Sequence, residues 1–191
     1  MHKDQDGNDQ FLPYARDPET LARAWARPGT PDLEHRLGGL EKAHKTGNVS
    51  YDAENHQKMV EIRAQKVQNV TQDIPPTQVY GHSDGDLLVL GWGSTKGAIE
   101  EATERAVDRG RRVGSVVLRH VWPLPADLAD VLGRFDHVLV PELNNGQLIR
   151  VLRDQYPNRD FTPLNKIQGR PFRAEEIVEK IGSLLGRPAP A

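Results

Sequence analysis

Leu87-Leu88-Val89-Leu90-Gly91-Trp92-Gly93-Ser94-Thr95-Lys96 decides the fold. Four apolar residues run without a polar break and meet a turn with two glycines. An unbroken apolar run is how a strand reads when both of its faces are covered, as in a parallel sheet flanked by helices. Ser94 or Thr95 is placed to cap a helix through about Arg109. Strand, glycine turn and helix make the first half of a βαβ unit, and the pattern repeats downstream. Val113–Leu118 reads as a second parallel strand. After Pro123-Leu124-Pro125 comes a helix with Leu128, Leu132 and Phe135 on one side. His137–Val140 is the third strand, ending at Pro141-Glu142. Asn144-Asn145-Gly146 starts a helix with Leu148, Leu152 and Tyr156 on one face. Phe161–Leu164 is a fourth strand, placed at an edge because Pro163 cannot donate to a ladder. Glu175 to about Leu185 closes the domain, with Ile177, Val178, Ile181 and Leu185 inward. The expected class is α/β: a doubly wound, mostly parallel sheet of 4–5 strands flanked by helices, over residues 77–187.

Upstream, the pattern dissolves. Residues 1–10 are polar and read as a disordered tail. Residues 11–76 read as a connecting arm with two helices. Asp17-Pro18-Glu19-Thr20 is a helix start ending before Pro28-Gly29. Residues 27–50 are broken by Pro28, Gly29, Pro31, Gly38, Gly39 and Gly47. A compact domain rarely carries about 24 structureless residues unless they serve a partner or a function. Asp52 caps the arm's other helix, Ala53 to about Val70. Its apolar stripe of Val60, Ala64 and Val67 is too thin for a core, which places it against a surface or another chain. Pro75-Pro76 ends the arm.

The 191-residue chain carries a net charge of −2 with 37% hydrophobic and 27% charged residues. No basic block appears, which argues against nucleic acid or an anionic membrane as partner. No apolar run approaches the ~20 residues that span a bilayer, and the first ten residues lack the core of a signal peptide. A soluble, cytoplasmic protein is expected. There is no cysteine, which removes disulfides, thiolate nucleophiles and any cysteine-held zinc or iron–sulfur cluster from this chain.

Each candidate site has a plainer reading beside it. Gly91, Gly93 and Gly97 give a G-x-G-x-x-x-G turn, where backbone N–H groups and a helix N-terminus can hold a phosphate. With Arg119 at the end of the second strand, that suits a free-standing domain for an NADP-type nucleotide. The plainer reading is close packing, since bulky Trp92 stands between the glycines. Asp84-Gly85-Asp86 with Asn144-Asn145 is similar to the signature that holds Mg²⁺ and thiamine diphosphate. The halves are too far apart, and Asp84 precedes its strand where ligands bind after one. Glu142, Asn144 and Gln147 cluster after the third strand, beside the first glycine turn. Open α/β sheets place ligands or partners at that edge. A lone carboxylate without a second acid, histidine or metal is more often a structural acceptor than a base. Histidines 35, 44, 56, 120 and 137 show no zinc-protease spacing. Glu41 with His44 would need a helix in a glycine-filled region. Neither a nucleophile elbow nor a P-loop appears.

One set of motifs carries a family likeness. Arg23-Ala24-Trp25-Ala26-Arg27-Pro28-Gly29-Thr30-Pro31, Leu33-Glu34-His35-Arg36-Leu37-Gly38-Gly39-Leu40-Glu41-Lys42 and Thr46-Gly47-Asn48-Val49-Ser50-Tyr51-Asp52 belong to it. So do Leu90-Gly91-Trp92-Gly93-Ser94-Thr95, Leu118-Arg119-His120 and Val140-Pro141-Glu142-Leu143-Asn144-Asn145-Gly146-Gln147-Leu148. From about Leu12 to Leu185 the chain resembles the segment after the pyrimidine-binding domain in α chains of 2-oxoacid:ferredoxin oxidoreductases, of the 2-oxoglutarate type. The resemblance implies a transketolase C-terminal-like domain within an enzyme that oxidatively decarboxylates a 2-oxoacid with coenzyme A and reduces ferredoxin. It also implies that thiamine diphosphate, Mg²⁺ and an iron–sulfur cluster belong to the partner β chain, with no catalytic, cofactor or metal residue here. The expected role is docking, by a truncated or split subunit. Its contact edge is Trp92, Gly93, Ser94, Thr95, Arg119, Glu142, Asn144, Gly146 and Gln147. The expected partners are the β subunit and the missing pyrimidine-binding portion of α.

Overall fold

A computed structural model describes residues 2–3 and 9–186. The chain divides into two compact units, Met1–Asp73 and Ile74–Ala191.

In the first unit, strands β1 (His2–Lys3) and β2 (Asp9–Gln10) pair antiparallel, Lys3 against Asp9. This corrects the expectation of a disordered decapeptide where it is described. A ladder is made of main-chain groups, so polar side chains do not forbid it. The rest of that tail, and the one beyond Gly186, lie outside the described residues. Two helices were expected in the arm, and the structure has one α-helix there, α1 (Ala53–Asn69), followed by a 3₁₀ turn at Val70–Asp73. Asp52 caps it, its carboxylate accepting from the Asn55 N–H at 2.6 Å. The Asp17 segment begins as a helix would, with its Oδ1 accepting from the N–H of Glu19 (3.0 Å) and Thr20 (2.7 Å). It stops after one turn because Leu21 takes a left-handed φ of 56°. The chain then doubles back and Arg16 bridges Arg23 antiparallel. Short bridges at Tyr14–Lys45 and Lys42–Val49 tie the irregular stretch together. On α1 it is Met59 that is buried, while Val60 and Val67 stand 45% and 41% exposed. That stripe is uncovered.

The second unit is a five-stranded sheet. Its elements are β3 (Tyr80–Gly81), β4 (Gly85–Trp92), α2 (Lys96–Asp108), β5 (Val113–Leu118), α3 (Leu128–Leu132), β6 (Phe135–Glu142), α4 (Gln147–Gln155), β7 (Thr162–Asn165) and α5 (Ala174–Leu185). The spatial order is β3-β5-β4-β6-β7. The pairs β4–β5, β4–β6 and β6–β7 are parallel. Only β3, a two-residue strand on the far edge, runs antiparallel. Pro163 lies in the edge strand β7, as its missing N–H requires.

The opening strand explains the layering. Leu87 and Val89 point to one face, against Ile99, Ala102, Ile177 and Ile181 of α2 and α5. Leu88 and Leu90 point to the other, against Leu128, Val131, Leu148 and Leu152 of α3 and α4. All four are fully buried, so a period-2 strand shows no polar alternation. Two residues depart from expectation. Phe135 does not sit on the third helix: Gly133 ends α3 early, and Phe135 opens β6 with its ring in the core. Thr95 is no side-chain cap for α2. It is buried, and its hydroxyl donates backward to the Trp92 carbonyl at 2.8 Å.

Candidate functional site

The chain leaves β4, passes through α2 to β5 on one side, then crosses through α3 to β6 on the other side of β4. The connections after β4 and β6 therefore diverge. In open α/β sheets a crevice forms at such a switch point, outside the carboxyl ends of the strands. Here the crevice lies between the Trp92–Thr95 turn and the Leu143–Gln147 loop. It is a cavity of about 240 Å³ lined by Trp92, Gly93, Ser94, Thr95, Leu143, Asn144 and Gln147.

Glu142 organises the crevice from below. It is fully buried at the last position of β6. One oxygen accepts from the Leu148 N–H (2.7 Å), the Asn144 amide (3.2 Å) and the Trp92 indole N–H (3.3 Å). The other accepts from the Ile149 N–H at 3.1 Å. The local sequence explains why α4 borrows a distant carboxylate. Gly146, at the N-cap, has no side chain and takes a left-handed φ of 75°. A Cβ there would come within 3.0 Å of Ile149 and 3.3 Å of Asn165, so glycine is required. The first-turn N–H groups must then find acceptors elsewhere. Asn144 Oδ1 takes that of Gln147 at 2.9 Å, and Glu142 takes the next two. The positive end of the helix favours that charge.

The expected edge is thus partly assembled. Trp92, Gly93, Ser94, Thr95, Asn144 and Gln147 line one cavity, with Gly146 buried beneath the loop. Glu142 does not present on the edge: its lone pairs are spent on four donors. Arg119 is not brought there either. It is exposed and lines a separate cavity of about 210 Å³ with Pro75, Val116 and Pro125. Missed by sequence reasoning are Val121, Trp122 and Val151. With Trp92, Gln147 and Leu148 they line an apolar hollow of about 270 Å³ beside the first. Trp122 is 51% exposed. Their signal was positional, since Val121-Trp122 follows the carboxyl end of a parallel strand directly.

The glycines of the turn divide by role. At Gly91 a Cβ would fall 2.2 Å from Ile99 Cδ1 and 2.8 Å from Thr95 Oγ1, so this glycine lets α2 seat against the strand. Gly93 has a φ of 62° and serves the turn, while Gly97 faces open space. A crevice of this volume, already bridged by the Trp92 indole, is below the ~300–1,000 Å³ typical of sites for drug-sized ligands. Nothing in it supports the nucleotide reading.

The residues read as a thiamine diphosphate and Mg²⁺ signature are not brought together. Asp84 and Asn144 lie at opposite ends of the sheet, and Asp84 is engaged by Arg112. With no cysteine, no iron–sulfur cluster can be held by thiolates here. Among the described residues no group of three His, Cys, Asp or Glu converges as a metal site. Glu41 pairs not with His44 but with His56 (2.7 Å) and Arg63 (3.3 Å), and these hydrogen bonds pull its pKa down to about 2. Among the described residues, no helix is long and apolar enough to cross a membrane.

Comparison with known proteins follows the same line. Residues 85–177 match the family described as pyruvate:ferredoxin oxidoreductase core domain II. The chain is 46% identical over 181 residues to 2-oxoglutarate oxidoreductase subunit KorA of Mycobacterium tuberculosis, covering 94% of this chain and 27% of that protein. It is 28% identical over 159 residues to the 2-oxoacid:ferredoxin oxidoreductase subunit alpha of Saccharolobus solfataricus, covering 77% of this chain and 25% of that one. Among solved structures, it superposes with a TM-score of 0.81 and 30% identity on the 2-oxoglutarate:ferredoxin oxidoreductase of Magnetococcus marinus, determined with 2-oxoglutarate, coenzyme A and succinyl-CoA bound. That match covers 96% of this chain and 32% of the other. The chain thus spans about a quarter of the length of these curated relatives. Residues 85–177, most of the sheet and its helices, thus match that core domain II, and nearly the whole chain is similar to one stretch of these α subunits.

Proposed function

We propose that residues 77–187 are a docking and architectural domain, without chemistry of their own, in the α subunit of a 2-oxoglutarate:ferredoxin oxidoreductase. The crevice edge, Trp92–Thr95 with Asn144–Gln147, and the neighbouring hollow at Trp122 face another subunit. The complex oxidatively decarboxylates a 2-oxoacid to its acyl-CoA and passes electrons to ferredoxin. Thiamine diphosphate, Mg²⁺ and the iron–sulfur cluster are carried by the β chain, and residues 11–72 connect this domain to the rest of α.

One observation carries this reading. The only carboxylate lining the switch-point loops, Glu142, is fully buried and spent on four donors. What the edge offers outward is the ring of Trp92, the Ser94 hydroxyl and the amides of Asn144 and Gln147. Those groups make contacts; none is a nucleophile with an adjacent base or a poised acid. Exposed tryptophan beside an apolar hollow is also what interfaces use as anchors.

The test is reconstitution. The chain is co-expressed with a cognate β subunit and a pyrimidine-binding portion of α, and the complex is isolated by size. Association, with 2-oxoglutarate-dependent ferredoxin reduction appearing only when all parts are present, is the expected result. Failure to associate in any combination sinks the proposal.

A further inference from the structure

Arg16 and Arg23 lie opposite each other across an antiparallel bridge. Both guanidinium groups sit against one ring: Arg23 Cζ is 4.4 Å and Arg16 Cζ 6.0 Å from the centroid of Tyr14. Two like charges are thereby held together and half-buried. Burial and the nearby charges of Arg23 and Arg63 lower the Arg16 pKa from its ordinary value.

Their hydrogen bonding is incomplete. Arg16 Nη1 donates to the Tyr14 carbonyl at 3.2 Å and approaches Met59 Sδ at 4.0 Å. Arg16 Nε and Arg23 Nη1 are buried, and among the described residues neither has an acceptor. A guanidinium presents its donors in a planar fork that suits carboxylate and phosphate oxygens. Leaving such donors buried and unpaired costs free energy, so a native structure calls for a reason.

Both arginines line a cavity of about 670 Å³, with Thr20, Leu12, Leu33 and Trp25 among its walls. The one carboxylate of the lining is turned to other work: Asp17 Oδ1 accepts from Glu19 N–H, Thr20 N–H and the Thr20 hydroxyl. Trp25 is 95% exposed. The cavity therefore joins two cationic forks to an apolar and aromatic wall.

We propose that Arg16 and Arg23 form a binding site for the oxyanion of a small molecule, a phosphate or a carboxylate, whose remaining body lies along Trp25, Leu12 and Leu33. This goes beyond the docking role and does not depend on it, since every group belongs to the first unit.

The test titrates the full chain with inorganic phosphate, with acetate and with sodium chloride at matched ionic strength. It follows the arginine Nε–Hε signals in proton–nitrogen correlation spectra. Saturable shifts at millimolar phosphate or acetate, absent with chloride, are expected. Arg23→Gln should weaken binding about tenfold or more, the loss of a charge-assisted hydrogen bond. Arg23→Lys, which keeps the charge and loses the fork, should fall between and covers the case in which Arg23→Gln disrupts the fold. The α1 amide signals report that fold. Tighter phosphate than acetate identifies a phosphoryl ligand, and the reverse a carboxylate. Equal response to all three salts, or unchanged affinity in both variants, overturns the proposal.

Discussion

Replacing Glu142 with glutamine keeps the shape of the side chain and removes its charge and one acceptor. The native carboxylate serves four donors through two oxygens, one of which receives only the Ile149 N–H. In the glutamine variant the amide oxygen can keep the three-donor position. The amide NH₂ then faces the Ile149 N–H, donor against donor, in a site with no water access. A hydrogen bond to a charged group contributes roughly 1.5–3 kcal/mol, and a partly buried charge at a helix terminus up to about 2 kcal/mol. Relief of the cost of burying the charge offsets part of that sum. The net loss should be about 2–3 kcal/mol for Glu142→Gln, and more for Glu142→Ala, which also orphans Leu148 and the indole. The assay is amide hydrogen exchange at Leu148 and Ile149. A local loss of about 2 kcal/mol multiplies the opening equilibrium about thirtyfold. Exchange at Leu139 and Leu88, deep in the sheet, should change less than at α4. Unchanged protection at Leu148 and Ile149 would refute the claim that this carboxylate is the cap of α4, and would return it to the pool of groups free for chemistry.

Further predictions test the packing and the arm. Gly114→Ala would place a Cβ 2.3 Å from the His82 carbonyl and 2.7 Å from the Phe135 ring; urea unfolding should show a loss of about 1–3 kcal/mol, since backbone cannot move aside cheaply. Gly97→Ala meets nothing within 4 Å, lies inside α2 and has an ordinary φ, so the same assay should show a gain of roughly 0.5–1 kcal/mol. Glu41 has a folded pKa of about 2, against an ordinary 4.5. Its stabilising contribution is therefore complete above about 4.5 and is lost as pH falls toward 2. In Glu41→Gln, the acid-induced loosening of the first unit, followed by the His56 ring signals, should lose its steepness across that window. At the crevice, Gln147→Arg puts a bulky charge on an exposed position of the edge; binding to the β subunit, read by surface plasmon resonance, should weaken about tenfold or more while the circular dichroism spectrum stays unchanged.

The parallel sheet was legible because its strands are buried on both faces. Leu87–Leu90 is apolar whichever way it points, Val113–Leu118 is interrupted only by Gly114 and Ser115, and Pro163 marked its own edge. The short edge strand β3 was invisible for the opposite reason: Tyr80 and Gly81 are exposed and form a ladder through backbone alone. The Asp17 segment misled because capping chemistry is local, whereas the left-handed turn at Leu21 is imposed by the pairing of Arg16 with Arg23. At the crevice, the residues that line it followed from the rule for switch points. The burial of Glu142 did not, because its donors come from a turn fifty residues upstream and a helix beginning beyond it. Trp122 was not among the residues expected at the edge, and its position in space shows it beside Trp92.

The account stands on the switch-point crevice being a contact edge without a reactive group. Hydrogen–deuterium exchange on this chain, alone and with the β subunit and the remaining part of α, tests that most directly. Slowed exchange on complex formation at residues 92–95, 121–122 and 143–151 is predicted. Unchanged exchange there, with protection confined to the opposite end of the sheet around residues 82–86 and 110–113, would contradict it.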